Sequence, residues 1–164
     1  MSQFKKQRLK SGGGAFTPLP RVCLQSQSFA RLTPHALKLL FDLMAQYTGF
    51  NNGDLSAAWK IMAARGWKSR DTLSKALAAL LDGGWIIKTR QGGLHKCSLF
   101  ALTLFVVDEC NDKQGRSKFD THVKPTPSPP GGWYRDLPAS TPHRGRLNNQ
   151  VNADGNYKGT RQAC

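Results

Sequence analysis

The stretch from residue 69 to residue 84 constrains the fold more than any other part of the sequence. Its apolar side chains recur at three- and four-residue spacing, at Leu73, Ala76, Leu77 and Leu80. That spacing places them on one face of a helix. Ser69 is a residue type that caps helix N-termini, and Gly83 and Gly84 follow the stretch. The pattern predicts a helix over Arg70–Asp82 that buries its leucine face and exposes the opposite face.

Two further helices are predicted upstream. The first begins at Thr33 and Pro34, which favour the cap and the first helical position, and it closes at Gly49. Its expected buried stripe consists of Leu37, Leu40, Phe41, Met44 and Tyr47. The second occupies residues 57–65, with Ser56 as its cap. The side chains expected to be buried there are Trp59, Met62 and Ala63.

Turn and strand signals fill the remaining positions. Asn51, Asn52 and Gly53 form a turn cluster, and the two residues after it have room only for a strand stub. Downstream of the third helix, residues 85–90 and 94–107 are β-rich runs on either side of Gln91-Gly92-Gly93, which predicts a hairpin. The expected fold class is mainly α with a small β-hairpin (α+β).

Composition divides the chain into four parts. Residues 1–14 combine cations with a glycine run and few apolar groups, so they are expected to form a basic disordered arm. Residues 15–32 are expected to lie as an extended segment against the domain. Residues 33–110 form the predicted domain. Residues 111–164 are rich in Pro and Gly and are expected to be a disordered tail.

The tail carries two short features with open interpretations. Trp133 and Tyr134 are adjacent aromatics in polar sequence, so they are either a docking motif for a protein partner or a non-functional remnant. Residues 125–130 read PTPSPP, which is typical of a spacer and also resembles proline-rich ligands.

Residues 68–77 read KSRDTLSKAL, and residues 80–86 read LLDGGWI. Together they follow the pattern S-x-x-T-(apolar)-x-(basic)-x-L-x-x-L-x-x-x-G-(apolar)-I. In this pattern, and in the order of its predicted elements, the chain resembles the winged helix-turn-helix superfamily of bacterial, phage and plasmid proteins. The resemblance covers about half of the chain. It implies that the third helix lies in the major groove of DNA and that the hairpin, or wing, contacts the adjacent backbone.

The side of the third helix that faces away from the leucines supplies the candidate DNA contacts. With its flanks, this side comprises Lys68, Ser69, Arg70, Asp71, Thr72, Ser74 and Lys75. Arg70 and Lys75 can pair with guanine, and the hydroxyl groups can bond phosphates or base edges. Asp71 has two interpretations. It is either a first-turn carboxylate stabilised by the helix dipole, which is favoured, or an acceptor for cytosine N4.

Two other groups of polar residues are candidate DNA contacts. The wing carries Lys88, Arg90, Gln91, His95 and Lys96 around a flexible glycine turn. The N-terminal arm carries Lys5, Lys6, Arg8 and Lys10. Contacts from the arm would be with phosphates, so they would add affinity without sequence preference.

The charge balance points to a polyanionic partner. The chain has 24 Lys and Arg against 10 Asp and Glu, a formal net charge of +14. No apolar run reaches the roughly 20 residues of a spanning helix, so no membrane partner is expected. The expected location is cytoplasmic and nucleoid-associated.

Motifs for catalysis and metal binding are not found. The four cysteines, Cys23, Cys97, Cys110 and Cys164, are scattered, and no histidine lies at metal-ligand spacing from them. The glycine run at residues 12–14 lacks the Lys-Ser/Thr of a phosphate-binding loop. No catalytic residue, no cofactor and no metal are therefore expected.

The leading hypothesis is a double-stranded DNA-binding protein. From the resemblance, its setting would be transcriptional or replication regulation of a mobile element. One alternative is a protein-interaction or replication-accessory module that uses the winged domain as a scaffold. Another is an RNA-binding protein, which the charge favours but no RNA-binding motif supports. A homodimer is left open.

Overall fold

A computed structural model describes residues 17–94 and 96–131. Within these residues the chain is α+β, with five helices and a two-stranded antiparallel hairpin. The helices are α1 (Arg21–Leu24), α2 (Gln27–Ala30), α3 (Pro34–Met44), α4 (Trp59–Ala64) and α5 (Arg70–Asp82). The strands are β1 (Ile86–Arg90) and β2 (Leu99–Leu102).

The two longer helices begin at the predicted caps. The Thr33 side-chain oxygen accepts a hydrogen bond from the Ala36 N–H at 3.2 Å, and Ser69 accepts one from the Thr72 N–H at 3.3 Å. Each bond satisfies a backbone donor that a helix start leaves without an intrahelical partner. The predicted range of α5 is confirmed residue for residue.

Helix α4 is shorter than the predicted 57–65, and Ser56 is not its cap. The N-cap position is Ala58, which makes no side-chain capping bond, while the Ser56 hydroxyl accepts a hydrogen bond from the Ala58 N–H at 3.2 Å. Ser56 thus holds the chain just before the helix. Of the expected core residues only Met62 is fully buried. Trp59 is half-buried, and Ala63 is exposed.

The core lies between α3, α5 and the hairpin. Its largest fully buried apolar side chains are Trp85, Phe100, Leu39, Leu40, Leu43, Leu55, Met62, Leu80, Ile86, Leu102 and Val107. In α3 the buried face differs from the predicted stripe. Leu39 and Leu43 are buried, whereas Phe41 is 46 % exposed. The difference arises because Asp42, which the apolar pattern excluded, finds polar partners in the interior and lies on the buried face.

The hairpin pairs Ile86 with Leu102 and Lys88 with Phe100, and its register shifts between Lys88 and Arg90. The predicted strand stub is confirmed as a bridge between Leu55 and Phe100, with backbone nitrogen-to-oxygen distances of 3.2 and 2.8 Å. Strand β2 is shorter than the predicted 94–107. It ends at Leu102, and the hydroxyl of the next residue, Thr103, donates to the backbone oxygens of residues 84 and 85.

Residues 17–32 differ from the extended segment predicted for 15–32, since they contain the short helices α1 and α2. The Ser26 hydroxyl donates to the Cys23 carbonyl at 2.6 Å and accepts from the Phe29 N–H at 3.1 Å. Phe29 then meets Trp85 edge to face, with ring centroids 5.8 Å apart. Local capping by Ser26 therefore turns this segment into helices, and it does pack on the core as expected.

Residues 111–131, here called the returning segment, correct the predicted tail boundary at residue 110. Phe119 is buried in a second core cluster with Ala101, Val107 and Cys110. Phe119 sits so close to Gly53 that a Cβ at position 53 would lie 2.4 Å from its ring. Ordered packing here was missed because one buried aromatic among polar residues gives no periodic signal. The rest of the predicted tail lies outside the described residues.

The returning segment also ties down the base of the hairpin tip. The Asp120 carboxylate accepts a hydrogen bond from the Gln91 N–H at 2.7 Å, and the Asp120 N–H donates to the Thr89 carbonyl at 2.9 Å. Asp120 is therefore bonded to the residues on either side of Arg90, the last residue of β1. The contact bridges 29 residues of sequence, so it restrains the hairpin in a way that local turn chemistry cannot.

We expect Asp120→Ala to loosen the hairpin locally. The Gln91 N–H loses its acceptor, which should lower the free energy of local opening by about 1 kcal/mol and speed hydrogen exchange about fivefold at this amide. The matched control is Asp112→Ala, because the Asp112 side chain bonds only residues 114 and 116 of its own segment. Equal exchange rates at Gln91 in wild type and Asp120→Ala would contradict the assigned role.

Candidate functional site

Helix α5 presents the predicted polar face to solvent. Leu73, Ala76 and Leu80 are buried behind it, and α5 packs on α3 through this side. The exposed residues are Lys68, Ser69, Arg70, Asp71, Ser74 and Lys75, while Thr72 is half-buried. The structure therefore brings all seven predicted side chains together at the N-terminal half of α5, with the apolar face fixing the orientation of the helix.

Asp71 and Lys75 form an ion pair one turn apart on this face. The Lys75 Nζ lies 2.8 Å from the Asp71 Oδ2, and both side chains are more than two-thirds exposed. The hydrogen bond with Asp71, together with its charge, raises the pKa of Lys75. Ser69 provides the capping bond, so Asp71 does not act as the cap. Its carboxylate is instead a first-turn charge next to the helix N-terminus, which the helix dipole stabilises.

Arg70 makes a contact that the sequence interpretation did not include. Its guanidinium carbon lies 5.2 Å from the centroid of the Trp59 ring, at the start of α4. Trp59 was expected to be core, and it is half-buried with one face available to this cation. The cation and the ring attract each other through the ring quadrupole. The contact joins the N-terminal ends of α4 and α5.

The turn between α4 and α5 has a defined geometry. The Gly66 N–H donates to the Ala63 carbonyl at 3.0 Å, and the Trp67 N–H donates to the Met62 carbonyl at 3.1 Å. This pair of bonds is the Schellman motif. Gly66 has a φ of +87°, a backbone conformation that side chains rarely adopt. The motif reverses the direction of the chain after α4, and Trp67 lies in the core. Five residues, 65–69, connect α4 to α5.

A buried carboxylate on α3 fixes this turn. Asp42 is 6 % exposed and accepts hydrogen bonds from Lys38 Nζ at 2.7 Å, Arg65 Nε at 2.8 Å and Trp67 Nε1 at 2.7 Å. The Lys38 ammonium also donates to the Arg65 carbonyl at 3.0 Å. Two residues of the turn, Arg65 and Trp67, are therefore bonded to one side chain. The network thereby links α3 to the turn that precedes α5.

Burial and the hydrogen-bond partners of Asp42 shift its pKa in opposite directions. Burial alone would raise the pKa of this carboxyl, but the hydrogen bonds from Lys38, Trp67 and Arg65 outweigh it and hold the pKa below the ordinary 3.8. Asp42 is accordingly ionised at neutral pH. Sequence reasoning missed it, although an acid inside an apolar stripe, four residues after Lys38, is the signal that could have found it.

The hairpin brings a second set of predicted residues next to α5. Lys88 and Lys96 are exposed, the Lys88 Nζ donates to the Gln91 side chain at 2.9 Å, and Arg90 donates to the Cys97 carbonyl. A cleft of about 270 Å³ separates the hairpin from the helices. Its lining comprises Ala57, Ala58, Leu77, Lys88, Cys97, Ser98 and Phe100. Residues from α5 and from β1 therefore face the same cleft.

Some predicted residues lie outside the described part of the chain. These are the arm residues Lys5, Lys6, Arg8 and Lys10, the hairpin residue His95, and the aromatic pair at Trp133 and Tyr134. Their roles stay predictions.

Residues 17–94 and 96–131 contain no group of three or more His, Cys, Asp or Glu side chains arranged to hold a metal ion. None of the helices in the same residues has the length and hydropathy required to span a bilayer. Comparisons of the chain with protein-family models, with curated proteins and with solved structures each gave no match.

Proposed function

We propose that this chain is a winged helix-turn-helix protein that binds double-stranded DNA. Helix α4, the turn and α5 form the helix-turn-helix, and α5 lies in the major groove. The β1–β2 hairpin is the wing and contacts the adjacent phosphates. Regulation of transcription or replication on a mobile element is the proposed setting, following the resemblance of residues 68–86.

The observation that carries this proposal is the exposed polar face of α5. Lys68, Arg70 and Lys75 project from a helix whose leucines are buried, so the cations are held on a rigid element rather than on a mobile loop. A helix of this kind fits the major groove of B-form DNA, and its N-terminal residues reach base edges. Protein-binding or RNA-binding use of the same face has no comparable support.

The hairpin supports the same arrangement. Lys88 is exposed and lines the cleft that adjoins α5, and Lys96 is exposed elsewhere on the hairpin. The Asp120 carboxylate bonds the Gln91 N–H at the end of β1. Exposed cations on the hairpin can contact the phosphates that flank the groove in which α5 lies. Phosphate contacts of this type set the position of the protein on the duplex without choosing the sequence.

The experiment that tests the proposal is selection of bound duplexes from a random library, followed by affinity measurements over a range of salt concentrations. A DNA-binding protein should enrich a defined sequence, and its affinity should fall steeply as salt rises. Equal competition by structured RNA would favour the RNA-binding alternative. Absence of salt-sensitive duplex binding would favour the protein-interaction module.

Arg70→Ala and Lys75→Ala are expected to lower affinity for the selected duplex about tenfold each, and to have a much smaller effect on random duplexes. The reason is that the variant loses a contact with a base only on the duplex that carries that base at the contacted position. Fluorescence anisotropy on both duplexes measures the difference.

Lys113→Ala is the control for these two variants, because it removes the same charge from an exposed position in the returning segment. It should leave the ratio between selected and random duplexes unchanged. If Arg70→Ala and Lys75→Ala weaken both duplexes equally, these side chains contact phosphates and not bases.

A further inference from the structure

Arg70 and Lys75 are held on α5 by different partners. Lys75 donates a hydrogen bond to the carboxylate of Asp71, which partly neutralises its charge. Arg70 instead lies over the ring of Trp59 at 5.2 Å. Among the described residues, no hydrogen-bond acceptor engages the Arg70 guanidinium. The two cations on the outward face therefore differ in how many of their hydrogen-bond donors are available to a ligand.

A contact between a cation and a ring face pairs no N–H group with a hydrogen-bond acceptor, so the guanidinium keeps donors for a ligand. It also restrains a side chain that otherwise loses much rotational freedom on binding, and a restrained fork loses less when it forms two hydrogen bonds. Guanine is the base that presents two adjacent acceptors, N7 and O6, to such a fork in the major groove.

We infer that Trp59 is a positioning residue for Arg70, and that through this contact Arg70 selects guanine at one position of the bound duplex. The inference rests on the proposed function. It assigns Trp59 a role outside the core, and it distinguishes Arg70 from Lys75. Arg70 meets its base with its donors unengaged by any acceptor, whereas Lys75 must give up its bond to Asp71 before it contacts one.

The test measures discrimination rather than affinity alone. Each G·C pair in the library-selected duplex is replaced in turn by A·T, and the position at which the Arg70→Ala variant no longer discriminates is identified. Wild type should favour guanine there about tenfold. Trp59→Leu should reduce this ratio about two- to fivefold, while Trp59→Phe, which keeps an aromatic face, should retain most of it. Arg70→Lys keeps the charge but loses the planar fork, so it should reduce the preference.

A double-mutant cycle separates positioning from a general structural effect. In the Arg70→Ala background, Trp59→Leu should cause no further change in the ratio. Thermal unfolding of each variant tests whether it is folded. If Trp59→Leu does not fold, the same comparison is made with Trp59→Phe. Lys60→Ala, an exposed cation next to Trp59, is the matched control and should leave the guanine preference intact.

Equal loss on every duplex in Trp59→Leu, or the same loss with and without Arg70, would overturn the inference. A wild-type protein that binds duplexes without any sequence preference would overturn the proposed function itself, which separates the two failures. Persistence of guanine preference in Arg70→Ala at every position would also refute the role given to Arg70.

Discussion

Asn52→Ala is expected to lower the free energy of unfolding by about 3–4 kcal/mol, because it leaves several buried backbone groups without partners. The Asn52 side chain is fully buried. Its amide donates to the carbonyls of Leu102 at 2.9 Å and Val106 at 2.7 Å, and its oxygen accepts from the Leu102 N–H at 2.7 Å. One side chain thus supplies hydrogen-bond partners for backbone groups at the end of β2 and just after it.

Chemical denaturation of both proteins measures this difference. Asn111→Ala is the control, since Asn111 is exposed and its amide bonds only the Glu109 side chain, at 3.1 Å. It should change the unfolding free energy by no more than about 0.5 kcal/mol. Asn52→Asp should be no better than alanine, because a carboxylate cannot donate to the two carbonyls. A loss below about 1 kcal/mol for Asn52→Ala would contradict this account.

Asp42→Ala is expected to lower the free energy of unfolding by about 3 kcal/mol at neutral pH. The Trp67 indole N–H is left without its acceptor in the interior, and the cations of Lys38 and Arg65 lose their counter-charge. Asp82→Ala is the control, because Asp82 is an exposed carboxylate at the C-terminal end of α5. Removing a negative charge there should be neutral or slightly stabilising.

The effect of Asp42 should depend on pH in a defined direction. Its pKa in the fold lies below the ordinary 3.8, so the unfolded chain takes up this proton more readily than the folded one. The stability from this carboxylate is then fully present above about pH 4 and is lost as pH falls through the lowered folded value. Denaturation curves should show the gap between wild type and Asp42→Ala narrowing below pH 4. A gap that stays constant down to pH 2 would rule out the ionised carboxylate as its source.

The parts of the fold that follow from local signals were predictable. The caps at Thr33 and Ser69, the range Arg70–Asp82 and the short strand stub at Leu55 all match the structure. Each depends on neighbouring residues or on periodic burial. The exposed face of α5 was predictable for the same reason, although DNA contact by its residues stays a prediction.

The features that were missed depend on distant partners. Asp42 is buried because residues 65 and 67 come back to it across the turn, and Phe119 is ordered because Gly53 leaves space for its ring. Trp59 looked like a core residue because burial is the usual state of an indole, and its contact with Arg70 requires the spatial approach of two helix starts. Periodicity within one element carries no information about such pairs.

The returning segment reaches the root of the hairpin at residue 131. The Gly131 N–H donates to the Thr103 carbonyl at 3.0 Å, immediately after the last residue of β2. Strand β1 runs from this end toward the glycine turn and β2 runs back from it. Gly131 therefore lies at the root of the hairpin, and the turn lies at the far end, roughly 15 Å away for a five-residue strand. The returning segment is accordingly bonded to the hairpin near both of its ends, to Gln91 beside the turn through Asp120 and to Thr103 at the root through Gly131, so the wing is braced by sequence that lies outside it.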